Sequence, residues 1–337
     1  MKKILYLLFH YPQTTETYIK TEIEAVRDRY ELRIVANGMA SDPYTNHFPF
    51  ILAPDNLNQL AEVIREFKPD VLHSHWFMSN VGLLSRITGV PFTLRSHSFD
   101  TSWRGAMPGY FASMIPDVNS DRCLGVLAFP HIHQKLIGHG IRAEKLVASY
   151  PVVDIPRFHN REPNGRAVMT IGAFVPKKQM EDALRIAKWM TDHPGTVPRE
   201  FNLWVLEYGV EALWKLNEEM GRPAHPQPRA EPEEMPAIYK RHEWLLFTAN
   251  RELNSVGWPL CIAEAQASGV GVLLPDLRPD LHQYAGPSGY FYNTLEEAAE
   301  ILAGPYPEEK RLAAFDYCQQ WDFQRHVNQL TDLWDRA

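Results

Sequence analysis

A chain of 337 residues exceeds what one hydrophobic core usually serves and points to two domains. Hydrophobic residues at 45% and charged residues at 22% are a globular balance, which excludes a disordered chain. A net charge of −7 excludes a surface built to neutralise a nucleic-acid backbone, while leaving room for a small anionic ligand held by a few local donors.

The opening Lys2–Phe9 run stops at His10-Tyr11-Pro12 without a small-residue cleavage site, so Ile4–Phe9 reads as a first strand and not as a signal peptide. Short apolar runs then alternate with amphipathic stretches, the pattern of parallel strands joined by crossover helices. Tyr18–Arg29 is a helix, Glu31–Ala36 a strand, Leu57–Phe67 a helix and Val71–His73 a strand. Asn80–Thr88 follows as a helix closed by Gly89, and Pro91–Arg95 as a strand. The stretch 106–121 mixes Pro, Gly and Met without period and reads as loop or short helix. Leu124–Ala128 is a strand, Pro130–His139 holds a helix and Lys145–Ser149 a strand. Pro151–Pro163 is the candidate linker.

The alternation then restarts. Ala167–Ile171 and Phe201–Leu206 are strands, and Met180–Thr191 and Glu211–Met220 are helices. The proline-rich 221–232 segment is a loop, followed by a helix at Met235–Arg241 and a strand at Trp244–Thr248. Pro259–Ser268 is a helix with Pro at its first turn and Gly269 after its end, ahead of a strand at Val270–Leu274. Leu295–Leu302 is a further helix, and Glu308–Ala337 forms a tail. The fold class is therefore α/β, with two Rossmann-like doubly wound domains. They are expected over 1–160 and 161–315, with 316–337 as a C-terminal helix crossing back to the first. No apolar segment approaches the ~20 residues of a membrane-spanning helix, which limits any membrane contact to the periphery. Cys123, Cys261 and Cys318 form no C-x-x-C pair, and their odd number suits a reducing cytoplasm.

Five segments carry a family resemblance. Gly257-Trp258-Pro259-Leu260-Cys261-Ile262-Ala263-Glu264-Ala265-Gln266-Ala267-Ser268-Gly269 resembles the donor-binding signature of family 4 glycosyltransferases, retaining enzymes of the GT-B fold. Tyr11–Ile19 resembles the Ser-Glu-Thr-Phe turn after the family's first strand, and Asp70–Trp76 its Asp-x-x-His-x-His segment. His97-Ser98-Phe99-Asp100 is similar to its His-Gly-x-Asp, and Ile171–Lys178 to its Gly-Arg-Leu-x-x-x-Lys loop. These occur in the family's order and span nearly the whole chain.

The resemblance implies two domains facing across a cleft, and a hexose-type sugar moved with retention from a nucleotide diphosphate sugar to a glycan or other hydroxyl acceptor. Polysaccharide or glycoconjugate synthesis is the implied setting. Gly257, Trp258, Pro259 and Leu260 open a helix whose backbone N–H groups favour phosphate or sugar hydroxyls. Glu264 is implied to hold the nucleotide ribose, and Gly172, Lys177 and Lys178 the diphosphate. His97 would contact the transferred sugar; His97, Lys178 and Glu264 form the implied catalytic set. Thr15, Glu16, Thr17, Arg95 and Asp100 are expected on the acceptor side or lining the cleft, although an N-cap or loop-bracing role suits Thr15 and Asp100 equally. Because lysine and helix dipole supply positive charge, neither cofactor nor metal is required.

The chain departs from the pattern twice. Val256 stands where the first Glu of the Glu-x7-Glu motif is expected, with Glu252 four residues earlier, and Ala173 replaces the usual arginine. Arg95, Arg104 and Lys177 are candidate replacements for the lost charge. His73, His75, His131 and His133 form two His-x-His pairs, read as packed or cleft-lining residues because the sequence shows no acidic or thiolate third ligand beside them. A sugar-nucleotide epimerase of the same shape and a non-catalytic glycosyltransferase-like binding protein are the competing readings.

Overall fold

The computed structural model describes residues 1–53, 56–77, 80–98, 100, 109–193, 199–206 and 209–337. The chain forms two units, Met1–Val152 with Phe323–Ala337, and Val153–Asp322. The linker proposed at 151–163 contains a short helix, Ile155–Phe158, started by the Asp154 carboxylate, which accepts the Arg157 N–H at 3.3 Å.

The first unit is built on a parallel sheet of seven strands. These are β1 Lys3–Tyr11, β2 Glu31–Met39, β3 Ile51–Leu52, β4 Val71–His75, β5 Phe92–Arg95, β6 Cys123–Ala128 and β7 Leu146–Ala148, in the order β3-β2-β1-β4-β5-β6-β7. Leu5, Leu72, Leu94 and Val126 are completely buried, as expected for strands covered on both faces. Helix Leu57–Phe67 shows how the crossovers form. Asn56 Oδ1 accepts the N–H groups of Asn58 and Gln59, Leu60, Ile64 and Phe67 face the sheet, and Lys68 ends the helix in the left-handed region. Helix Asn328–Asp335 returns to this unit and drives Leu330, Leu333 and Trp334 into its core.

The second unit repeats the plan with six strands. They are β8 Ala167–Ala173, β9 Phe201–Leu206, β10 His225–Pro226, β11 His242–Leu246, β12 Gly271–Pro275 and β13 Tyr290–Tyr292, in the order β10-β9-β8-β11-β12-β13. Every ladder in both sheets is parallel.

In each sheet the strand order reverses once, between β1 and β4 and between β8 and β11. Ligands of open α/β sheets bind beyond the carboxyl ends of the strands at such a reversal. The turns leaving β1, β4 and β5 carry Thr15–Thr17, Trp76 and His97, and those leaving β8 and β11 carry Lys177, Lys178 and the Gly257–Leu260 segment. No helix among the described residues is long and apolar enough to cross a membrane.

Candidate active site

In the second unit the expected donor residue Glu264 sits on helix Leu260–Ala267, which follows β11. This helix has no side-chain cap, so its first backbone N–H groups lack a side-chain acceptor from Pro259. Glu264 lies one turn in, and its Oε2 accepts a 2.7 Å hydrogen bond from the hydroxyl of fully buried Tyr239. Burial pushes the Glu264 pKa up to about 7, against the opposing pull of the Tyr239 hydrogen bond and the Arg157 charge.

Lys178 leaves the turn after β8. Its backbone carbonyl accepts the Thr248 hydroxyl at 2.7 Å, and Lys177 O accepts Asn250 N–H at 3.0 Å, tying this turn to the loop after β11. The ammonium sits 4.1 Å from the Phe247 ring centroid. Gly172 lies beside it at a φ of +148°, where a Cβ would press on Met180 Cε at 3.0 Å and stand in ordinary contact with Lys178. Burial brings the Lys178 pKa down to about 8, and Lys177 is lowered for the same reason.

One side chain reports on both groups. Burial raises the Cys261 thiol to about 12, while the Lys178 charge lowers it and the Glu264 charge raises it. The Trp258 side chain anchors the motif. It is buried, donates from Nε1 to Asp280 at 2.8 Å and stacks on Tyr284 with centroids 5.1 Å apart. Val256 is buried with its carbonyl bonded to Arg278, and Glu252 is exposed. Arg157 had no place in the sequence reading because its segment looked like linker, yet its charge reaches Glu264.

The first unit centres on Glu22, a residue the sequence reading missed. On helix Thr17–Val26 it falls in the Ile19, Ile23, Val26 stripe and is completely buried. That stripe was the available signal, a carboxylate at an inward helical position. Glu22 Oε2 lies 2.5 Å from Arg95 Nη2, while Oε1 lies 3.0 Å from His73 Nε2 and accepts hydrogen bonds from His75 Nε2 and Tyr6 Oη, each at 3.2 Å. Burial opposes the charge on Glu22, but Arg95, His73 and His75 outweigh it and hold the pKa well below the carboxylate range.

Two expectations are corrected here. Arg95, expected to line the cleft or replace the missing arginine, is 3% exposed and directed inward to Glu22 and Ser149. The His73/His75 pair does have an acidic neighbour, since donor atoms of Glu22, His73 and His75 lie within 4.8 Å of one another. The Arg95 guanidinium already neutralises that carboxylate. His133 bonds the Ala128 carbonyl.

His97 follows β5 and is partly buried among Tyr18 and Trp76, with ring centroids at 4.7 and 5.0 Å. Its Nε2 is 3.0 Å from His75 Nδ1. Asp100 is fully buried and braces this loop: Oδ2 accepts His97 N–H at 3.0 Å, and Oδ1 accepts Phe77 N–H at 3.2 Å and the Tyr110 hydroxyl at 2.6 Å. Thr15 and Glu16 belong to a 3-10 turn, Thr14–Glu16, and Thr17 opens the helix that carries Glu22; all three are partly buried. Arg104 and Phe99 lie outside the described residues.

The sequence matches no protein-family model and no curated protein. Solved structures do match it along its length. HepE from Anabaena in complex with UDP-glucose is similar with a TM-score of 0.74 at 16% identity, covering 98% of both chains. Sucrose-phosphate synthase from Thermosynechococcus elongatus is similar with a TM-score of 0.74 at 13% identity, covering 100% of this chain and 99% of its own. The lipopolysaccharide outer core galactosyltransferase WaaB is similar with a TM-score of 0.62 at 13% identity, covering 98% of both. Two parallel α/β units of seven and six strands, matched end to end by these proteins, give the chain the GT-B fold.

Proposed function

We propose that the chain is a retaining family 4 glycosyltransferase that moves a hexose-type sugar from a nucleotide diphosphate sugar to a hydroxyl acceptor in polysaccharide or glycoconjugate synthesis. The observation that carries this is the placement of Lys178 in the turn leaving β8 and of Glu264 on the helix that follows β11, the two strands between which the second sheet reverses. The UDP-glucose held by HepE supports a nucleotide sugar as donor.

By this reading Glu264 accepts hydrogen bonds from the two ribose hydroxyls. Lys178 and Lys177, with the N–H groups of the Gly257–Leu260 segment, neutralise the diphosphate. His97 contacts the transferred sugar, and Thr15, Glu16 and Thr17 belong to the acceptor side. The bond from the anomeric carbon to the diphosphate breaks as the acceptor oxygen bonds to the same face, and the departing diphosphate takes the acceptor's proton. Lysines and helix dipole supply the charge that a divalent ion would otherwise bring. Three free cysteines suit a cytoplasmic site of action.

A thermal-shift screen of nucleotide sugars, followed by assay of nucleoside diphosphate release with acceptor sugars, tests this. The expected result is stabilisation by one donor class and acceptor-dependent release, cut roughly a hundredfold or more in Lys178→Ala. Binding without turnover across all pairs would indicate a non-catalytic relative, and inversion at a ring carbon without transfer an epimerase.

A further inference from the structure

We propose that Glu22 and His75 form a relay that fixes the ring orientation and proton placement of His97, so that both are positioning residues for the chemistry His97 serves. The relay is argued within the first unit; its effect on activity rests on the assignment of His97 to the sugar site.

Burying a carboxylate completely is costly unless it is paired, and one at the inward face of a helix needs a reason to be there. Glu22 is ionised because Arg95 lies 2.5 Å from it. An ionised carboxylate only accepts, so the hydrogen in its 3.2 Å bond with His75 sits on His75 Nε2. Burial brings the His75 pKa down to about 4, so at neutral pH its ring carries that one hydrogen and Nδ1 is bare. The 3.0 Å bond from His75 Nδ1 to His97 Nε2 is then donated by His97. Its Nε2 hydrogen is thereby committed inward, toward His75.

The ring is clamped mechanically as well. His75 and His97 lie nearly parallel at 15° with centroids 5.2 Å apart, and Asp100 holds the His97 backbone N–H. A metal ion on Glu22, His73 and His75 through the clustered atoms would need the His75 Nε2 lone pair. That moves the hydrogen to Nδ1 and reverses the bond to His97, so the two models assign opposite tautomers.

Long-range proton–nitrogen correlation spectra of the full chain labelled with 15N-histidine decide between them. We expect the neutral His97 ring to carry its hydrogen on Nε2, unchanged by equimolar Zn²⁺. His75→Phe, which keeps a ring but no polar atom, is expected to release His97 into a tautomer mixture. His75→Asn, whose side-chain carbonyl can accept from His97, is expected to restore a single form. In transfer assays His75→Phe should lower kcat by roughly tenfold to a hundredfold, as loss of an orienting partner does, with donor KM within about twofold. A wild-type His97 bare at Nε2, a zinc-induced shift of the His73 and His75 signals, or an unchanged His97 tautomer in His75→Phe overturns the relay. Wild-type transfer by His97→Ala refutes only the role given to His97 in the sugar site, because the spectra judge the relay independently.

Discussion

The Tyr239 hydroxyl donates a 2.7 Å hydrogen bond to Glu264 Oε2, from a ring that is itself completely buried. This contact favours the ionised form of a carboxylate that burial otherwise drives toward neutrality. Tyr239→Phe is therefore expected to raise the Glu264 pKa above about 7 and weaken nucleoside diphosphate binding at neutral pH by roughly three- to tenfold. Titration calorimetry at two pH values checks this, and the loss should shrink at pH 9, where Glu264 ionises in both proteins.

Donor affinity should also be bell-shaped in pH. Glu264 must be ionised to accept from hydroxyls, which requires a pH above about 7. Lys178 must be protonated to neutralise phosphate, which requires a pH below about 8. Affinity of the free protein should peak between these values, with each limb approaching tenfold per pH unit. Glu264→Gln should remove the acid limb and Lys178→Met the alkaline limb, each at reduced affinity.

Removing Glu22 should endanger the fold of the first unit. Glu22→Gln leaves Arg95 buried without its counter-charge, at a cost of roughly 3–5 kcal/mol. The sign follows from the depressed pKa of Glu22: its contribution is present above the reference value of 4.5 and fades as pH falls toward the folded value. Urea unfolding should show the full difference at pH 7 and a smaller one below pH 4.5.

Gly172→Ala forces an L side chain to a φ of +148° and sets its Cβ 3.0 Å from Met180 Cε, beside the tip of Lys178. A loss of about 1–3 kcal/mol and weaker donor binding are expected together. Gly89→Ala is the control. At a φ of +77° with nothing within 4 Å of the added atom, it should cost about 1–2 kcal/mol without changing donor affinity.

Much of the architecture was legible because parallel strands and amphipathic crossovers leave strong periodic signals. Leu57–Phe67 and Phe201–Leu206 have the boundaries read from sequence. Several elements were missed, among them strand His225–Pro226 inside the proline-rich segment read as a loop and helix Ile155–Phe158 inside the segment read as a linker. Ile51–Leu52 and Tyr290–Tyr292 are too short to carry a period, and helix Pro279–Ala285 begins in a stretch whose prolines suggest a turn. At the site, the Gly257–Gly269 motif was legible as a motif, but the inward turn of Trp258 was not, because its partners Asp280 and Tyr284 come from the next helix. The Glu22 cluster was hidden for a related reason. His73, His75 and Arg95 are separated from it along the chain and meet it only because β1, β4 and β5 lie side by side.

The most direct measurement compares binding of a nucleoside diphosphate with that of its nucleoside, by titration calorimetry, in the wild type, Glu264→Ala and Lys178→Ala. If Glu264 grips the ribose and Lys178 the diphosphate, Glu264→Ala weakens both ligands by a similar factor, while Lys178→Ala weakens only the diphosphate, by roughly tenfold or more. Failure of the wild type to bind any nucleoside diphosphate, or equal losses of both ligands in Lys178→Ala, would contradict the assignment of these two residues to opposite ends of one donor.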